Sequence, residues 1–493
     1  MLSYSAIMLD VYARKTKIIA TVGPATFARD RLKQLLSAGV DVFRFNFSHQ
    51  DYERAAAAVR DIRELSGQLK KHVALFIDLQ GPKIRIGKFK RGKAVLKAGQ
   101  DFVITTEDIA GDESGVSTTY KPIAQDARIG DCILLDDGKL RLEVTGKTDK
   151  TVRARVLAGG ELADHKGINL PGMKLSTPSL TEKDKDDVLR GLALDVDYYA
   201  LSFVRTAQDV LDLREFLRAN GSDRKIIAKI EKPEAVENID AIVAAADAIM
   251  VARGDLGVEI SVEKVPALQK DIVRRANYGG VPVIVATQML ESMIASPVPT
   301  RAEVSDVAAA IYDWADAVML SGETAIGKYP VETVQMMDRV ANEVDIAQSE
   351  RKKRLSIRKT HFIREESIAS SLCDSADELA DEINARAIIT FTESGRTPLI
   401  LSKYRSSVPI IAISDKIKTC AKMALCRGVF PVLSLTPFTR MQGLLEMLPE
   451  AEARNKELGL LKDGDLVVIM AGIPIATAGS TNIIRVHRIG DPY

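Results

Sequence analysis

Short apolar runs rich in Ile, Val and Ala alternate along the first two-thirds of the chain with longer stretches whose apolar residues recur every three to four positions. Eight such runs stand at 17–21, 42–46, 74–78, 198–202, 226–231, 248–251, 283–287 and 317–321, and a Gly, Pro, Ser or Asp cluster follows most of them. This alternation predicts parallel strands joined by crossover helices. Eight is the number that closes a (β/α)8 TIM barrel, so the fold class expected is α/β. The third and fourth runs end at 78 and 202, 124 residues apart, whereas the other steps are 20 to 36. That excess makes room for an inserted domain. Within it, alternating runs at 102–105, 132–135, 140–144 and 152–156 are separated by Gly and Asp-Gly turns, which predicts a small all-β lid over one end of the barrel. A helical pattern restarts near Ser367, and runs at 387–391, 408–413, 429–433, 466–471 and 482–486 predict a C-terminal α/β domain. The expected division is 1–85 with 175–345 for the barrel, 86–174 for the lid and 346–493 for the last domain.

Composition narrows the chemistry. The chain has 493 residues, a prior of about three domains. Its 68 basic and 67 acidic residues leave a charge of +1, which argues against a surface that coats nucleic acid. Four cysteines, Cys132, Cys373, Cys420 and Cys426, form no CxxC pair or Cys/His cluster, so buried thiols in a reducing compartment are expected. The apolar stretch 1–9 has no basic residue before it and meets Asp10 too soon for a signal-peptide core. The uncharged run 466–484 is broken by Gly472, Pro474, Gly479 and Asn482, which suits two strands and a turn rather than a membrane helix. No membrane association and a cytoplasmic location are expected. The basic stretch from Arg351 to Lys359 reads as a solvated helix end or linker.

In a closed parallel barrel the working residues emerge at the C-terminal strand ends, and here those ends are polar. Glu231 and Asp255 follow consecutive strands and can point at one spot; two carboxylates on rigid elements suit octahedral Mg2+. Lys229 alternates with Glu231, so both face the same side of the strand. An ammonium and a divalent cation there would stabilise an oxyanion, such as an enolate or a phosphoryl oxygen. A purely structural ion pair among Lys229, Glu231 and Asp255 is the alternative. Gly254 and Asp255 open a helix whose free N–H groups can take a carboxylate or phosphate, although an ordinary turn has the same look. Arg44, Asn46 and Ser48 alternate on one face, where Arg44 can grip a phosphoryl group or form a rim salt bridge. Lys83 and Arg85 at the entry to the lid, with Lys166 late in it, could close around a polyphosphate.

Taken together these strings resemble the pyruvate kinase family. The match runs in family order through TVGPAT (21–26), FRFNFSH (43–49), DLQGPKIRIG (78–87), KGINLPG (166–172), KIEKPEAVENID (229–240), IMVARGDLGVEI (249–260), ATQMLESMIASPVPTRAEVSDVA (286–308) and MLSGETAIGKYP (319–330). The resemblance implies phosphoryl transfer from phosphoenolpyruvate to ADP, giving pyruvate and ATP. It implies that Glu231 and Asp255 hold one Mg2+, that a second arrives with the nucleotide, and that Lys229 and Arg44 act on the phosphoryl group. Gly254, Asp255 and Thr287 would bind the substrate carboxylate. Thr287, with Ser321 through water, would lie on the proton route to the enolate carbon. His49, Arg85 and Lys166 match positions that line the nucleotide phosphates.

The chain departs from the commonest family pattern after the third strand. Leu79, Gln80 and Lys83 resemble the subgroup in which a lysine stands for a glutamate linked to K+ dependence. K+ is therefore expected to be dispensable, with Asn46, Ser48 and Asp78 forming a polar cluster beside Lys83. In the C-terminal domain TESGR (392–396) follows a strand and opens a helix, an arrangement that is either an ordinary turn or an anion cradle. In the family this loop, with a late loop here near 472–479, binds phosphorylated sugar or nucleotide effectors, which points to Thr392, Ser394, Gly395 and Arg396. A homotetramer is the family expectation. A lyase acting on a 2-oxo acid would need neither the lid nor Arg85 and Lys166, and a non-catalytic relative would be expected to lack a metal ligand.

Overall fold

Each of the eight predicted runs forms a strand, and each strand pairs in parallel with its neighbours in sequence until the first meets the last. In a computed structural model that describes residues 14–48, 52–173, 175–355, 367–441, 443–473 and 481–493, they are β1 (Lys17–Val22), β2 (Val42–Asn46), β3 (Ala74–Asp78), β4 (Tyr198–Leu201), β5 (Lys225–Ile230), β6 (Ala248–Ala252), β7 (Val283–Ala286) and β8 (Ala317–Leu320). Strand geometry sends alternate side chains to opposite faces. Ile19, Val42, Phe76, Ala200, Ile227, Met250, Ile284 and Met319 therefore fill the barrel interior. Their neighbours Ile18, Phe43, Leu75, Leu201, Ala228, Ile249, Val285 and Val318 pack outward against the helices. The interior is a packed core, and Ala424 and Leu425 of the C-terminal region close its lower end.

Between β3 and β4 lies a six-stranded sheet, in the order Ile168–Asn169, Cys132–Leu135, Leu140–Lys147, Thr151–Ala158, Asp101–Thr105 and Gly115–Ser117, with a separate pair Lys93–Leu96 and Gly160–Ala163. It has its own core, built around Phe102, Ile104, Leu142 and Val156. Cys132 is half-buried there, unlike the three other cysteines, because it faces the open side of its strand. The last 110 or so residues contribute a five-stranded sheet of β9 (Ala387–Phe391), β10 (Ile410–Ser414), β11 (Val429–Leu433), β12 (Leu466–Gly472) and β13 (Thr481–Arg488), ordered β11-β10-β9-β12-β13 with β13 antiparallel. The uncharged run 466–484 thus forms two strands, as its Gly and Pro content implies. Helix Pro330–Leu355 carries the first part of the basic run, and 356–359 lie outside the described residues. Among the described residues no helix is long and apolar enough to cross a membrane.

The C-terminal unit seats on the lower, N-terminal end of the barrel through buried charge. Asp316, the residue before β8, accepts hydrogen bonds from Lys403 Nζ at 2.6 Å and Arg405 Nη1 at 2.9 Å, and both cations also reach Asn277 Oδ1. Nearby, Asp345 accepts from Arg427 and from the backbone N–H groups of Lys15 and Thr16.

His72 lies in the same seam, its imidazole pushed down to about 4 by burial and by the charges of Arg454 and Arg63. An unfolded chain takes up this proton near pH 6.5 while the folded one resists it, so stability falls as pH drops from 6.5 towards 4 and is insensitive to His72 above that window. His72→Asn should flatten the thermal midpoint between pH 6.5 and 5; an unchanged slope would show that another group titrates there.

Candidate active site

The inward-facing row that is apolar through the barrel turns polar at its upper end. Continuing the period of two past Ile19, Val42, Phe76, Ala200, Ile227 and Met319 gives Thr21, Arg44, Asp78, Ser202, Lys229 and Ser321. Asp78 sits at the centre of this ring, 2% exposed. Its carboxylate accepts from Arg44 Nε at 2.8 Å and pairs with Arg44 Nη2 at 2.7 Å and Lys229 Nζ at 3.1 Å. Lys229 also donates to Ser202 Oγ at 2.7 Å, and Arg44 donates to Thr21 Oγ1 at 3.1 Å. Two cations are thus fixed side by side through one buried anion.

Glu231, 1% exposed, is the other partner of Lys229, at 2.8 Å, and its second oxygen accepts from the Phe203 N–H at 2.8 Å. Burial raises its proton affinity against the pull of Lys229, and the Asp255 charge pushes in the same direction as burial. Lys229 is pushed above its ordinary range: burial acts against this, and Asp78, Glu231 and Asp255 outweigh it. Three carboxylates and one ammonium therefore share a field at the mouth, with Asp255 half-buried on helix Arg253–Glu259 after β6. Among the described residues no group of three or more metal-ligating side chains is clustered. The donor set at the mouth is two carboxylates, all oxygen, on consecutive strand ends, which is the chemistry a hard divalent ion takes when substrate oxygens complete its shell. The residues fit such an ion.

Thr287 leaves β7 in a left-handed conformation, φ 69°, and Gln288 follows at φ 54°. For a β-branched residue this backbone is strained, and it persists only where neighbours hold it. Arg253 does so: its Nη2 donates to the carbonyls of Thr287 at 2.7 Å and Gln288 at 3.2 Å, while its Nη1 donates to Asp306 at 2.8 Å. The Thr287 hydroxyl accepts from the Gly254 N–H at 2.8 Å. The two donors expected to meet a substrate carboxylate are thus bonded to each other. Ser321 donates its N–H to Glu323 Oε2 at 2.7 Å, and its hydroxyl is shielded from solvent with no hydrogen-bond partner. Glu323 in turn accepts from the Leu290 N–H and ties the β7 and β8 loops together.

At the lid, Arg85 and Lys166 come together across an isolated bridge between Arg85 and Gly167. Arg85 donates to the His165 carbonyl at 3.0 Å, and Lys166 pairs with Asp136 at 2.8 Å. His49 lies outside the described residues. The polar cluster expected around Lys83 takes a different form. Asn46 Oδ1 accepts from the Ser48 N–H at 3.1 Å, and the buried Leu79 is held through its carbonyl by Ser202 Oγ at 2.7 Å. Asp78 is committed to Arg44 and Lys229. Lys83 is exposed and lines an open cleft between lid and barrel with Phe203, Lys232, Asp255 and Glu259. A long side chain at a turn can keep its ammonium in water, and Asp78 already has two cations.

In the C-terminal domain Thr392 accepts from the Gly395 N–H at 2.9 Å, with Gly395 at φ 85° before helix Arg396–Lys403, and Ser394 and Arg396 are exposed beside it. Residues 474–480 of the late loop lie outside the described residues.

Sequence reading missed Ser202 and Arg253. Ser202 was reachable by counting two from Ala200, whereas the role of Arg253 depends on a loop 34 residues away.

Residues 13–334 match the family profile described as pyruvate kinase, barrel domain, and residues 370–487 match the one described as pyruvate kinase, alpha/beta domain. Curated proteins named pyruvate kinase are similar along almost the whole chain. That of Bacillus licheniformis is 43% identical over 481 residues, covering 97% of this chain and 81% of its own length. That of Thermotoga maritima is 41% identical over 476 residues, covering 97% of this chain and 100% of its own. A crystal structure of a pyruvate kinase from Cryptosporidium parvum superposes with a TM-score of 0.88 at 36% identity, covering 98% of this chain and 97% of that one. Two domain matches in order, identity above 40% across both domains and a superposable solved structure leave one assignment: the chain belongs to the pyruvate kinase family.

Proposed function

We propose that the barrel mouth transfers the phosphoryl group of phosphoenolpyruvate to ADP, giving pyruvate and ATP. The observation that carries this reading is the Arg44–Asp78–Lys229 chain beside Glu231: two cations and buried carboxylates meet at one point. Phosphoryl transfer needs positioning and charge neutralisation more than covalent chemistry from the protein. In this reading the bond from phosphorus to the enol oxygen breaks and one to a β-phosphate oxygen of ADP forms, and the enolate left behind gains a proton at its methylene carbon. Lys229 neutralises charge on the phosphoryl group and then on the enolate oxygen, and Arg44 holds the phosphoryl oxygens. Thr287 and the helix start at Gly254 and Asp255 orient the substrate carboxylate, replacing the bond they share with bonds to substrate. The unpartnered Ser321 hydroxyl suits a water chain that passes a proton towards the enolate carbon, with Thr287 as relay.

Family membership carries a general dependence on a metal ion. Glu231 and Asp255 would hold Mg2+ here, and when bound it would draw charge from the phosphoryl and carboxylate oxygens; a second Mg2+ would come with the nucleotide. Arg85, Lys166 and His49 would meet the ADP phosphates, Lys166 exchanging Asp136 for them. Lys83, exposed on the cleft wall that Asp255 also lines, supplies a tethered positive charge where relatives of the commoner pattern need K+. The loop at Thr392, Ser394, Gly395 and Arg396, exposed at Ser394 and Arg396, would take a phosphorylated effector, and a cytoplasmic homotetramer completes the reading.

The test is pyruvate formation from phosphoenolpyruvate and ADP with Mg2+, run with K+ and without. Product in both buffers at equal turnover is expected. No product would overturn the reaction, whereas an activation of about tenfold or more by K+, equivalent to 1.4 kcal/mol, would overturn the role of Lys83 alone.

A further inference from the structure

One side-chain bridge from lid to barrel is made by residues that have no role in the reading above, on the cleft that Lys83 and Asp255 also line. Asn169, on the lid strand Ile168–Asn169, donates its Nδ2 to Glu259 Oε1 at 3.0 Å. The same oxygen accepts from Lys232 Nζ at 2.7 Å, and the Lys232 ammonium lies 5.8 Å from the centre of the Phe203 ring. Glu259 and Lys232 are 5% and 6% exposed, and Glu259 Oε2 is buried with no hydrogen-bond partner. A buried pair of this kind adds little stability, because desolvation offsets its attraction, so its retention needs another reason.

The connections of the three residues supply that reason. Glu259 ends the helix that carries Asp255 at its start, one turn away on the same face. Lys232 directly follows Glu231. Asn169 stands three residues after Lys166, on the strand that pairs with 134–135 of the lid sheet and so moves with it. We propose that Glu259 is a positioning residue: clamped by Lys232, it is the seat on which Asn169 docks the lid, and it sets the separation between Lys166 and the two carboxylates at the barrel mouth. This rests on the proposed phosphoryl transfer for its kinetic consequence. Its prediction is specific. Loosening the seat weakens the grip on the nucleotide, which the lid holds, and leaves phosphoenolpyruvate, which the barrel holds, nearly untouched.

Asn169→Ala removes the lid donor and keeps the Lys232–Glu259 pair, so the fold is spared. It should raise KM for ADP about 5- to 10-fold, the net effect of one typical hydrogen bond, with KM for phosphoenolpyruvate changed by less than about twofold. Asn169→Asp should do worse by setting two carboxylates face to face. Adding Glu259→Gln to Asn169→Asp reverses the direction of the same hydrogen bond, gives Lys232 a new anion and should restore KM for ADP to within about twofold of wild type. Hydrogen exchange at 82–88 and 164–176, read without substrates, should quicken in Asn169→Ala and Asn169→Asp and recover in the double variant. Equal rises in both KM values, absence of rescue, or unchanged exchange would overturn the proposal. If the wild-type chain made no ATP, the reaction would fail on its own while the exchange measurement still decided the seat.

Discussion

Lys229→Met is expected to cripple phosphoryl transfer, with kcat lower by about 10²- to 10³-fold, since groups aimed at developing charge in a shielded site each contribute about 3–4 kcal/mol to the transition state. Lys229 is 8% exposed, its ammonium held between Asp78 at 3.1 Å and Glu231 at 2.8 Å and aligned by Ser202. No neighbour can replace it: Arg44 is committed to Asp78, and Lys232 is committed to Glu259. The structure adds a second consequence that the strand pattern alone does not suggest. Removing Lys229 leaves Glu231 buried without its cation, so the thermal midpoint should drop as well. Lys229→Arg separates the two effects. It keeps the charge, and so most of the stability, but its planar fork cannot occupy the site of a compact ammonium, and activity should remain depressed. Turnover assays beside thermal melts of both variants provide the check; near-wild-type turnover in Lys229→Met would sink the assignment.

The second large effect is expected at the opposite end of the barrel, where no chemistry is proposed. Asp316→Asn leaves Lys403 and Arg405 buried with no anion and should cost about 3–5 kcal/mol, the usual penalty for breaking a buried pair from one side. Burial by itself would raise the Asp316 proton affinity, and Arg405 and Lys403 together hold it below its ordinary value. Lys403→Met should cost distinctly less, because Asp316 keeps Arg405 at 2.9 Å and the Val283 N–H at 2.8 Å. The only tryptophan of the chain, Trp314, lies under both Arg405 and Arg427 and its carbonyl accepts from Arg405 Nη2 at 2.7 Å, so its fluorescence reports this seam directly in a denaturant titration. Equal losses in the two variants would mean that the cluster acts by volume rather than by charge. β8 begins one residue after Asp316 and ends one before Ser321, so the same titration followed by activity would also show whether disturbing the lower seat reaches the mouth.

The barrel was legible because a parallel strand buried on both faces leaves an uninterrupted apolar run, and the polar break at its upper end is sharp. All eight runs were placed to within a residue of the strands that form, and the long step after the third announced the lid. The meeting of Lys229 with Glu231 was legible too, since a period of two is local geometry. The commitments of shared groups were not. Asp78 stands as one acidic residue in DLQGPK, and nothing in that string tells whether Lys83, Arg44 or Lys229 will claim it. The fold awards it to the two cations on strands and leaves Lys83 in water, because strands are fixed by ladders of backbone bonds while the turn after β3 is free to face outward.

The same division holds throughout the molecule. Periodicity and turn residues are properties of neighbouring positions, so order, strand ends and the polar mouth could be read from the chain alone. Thr287 bent into a left-handed turn by Arg253, the Gly254 N–H spent on its hydroxyl, the Asn169–Glu259–Lys232 seat and the Asp316 cluster join residues from 27 to 90 positions apart in sequence. Which of several equally charged groups wins a buried partner depends on distances in space, and these exist only once the barrel has closed.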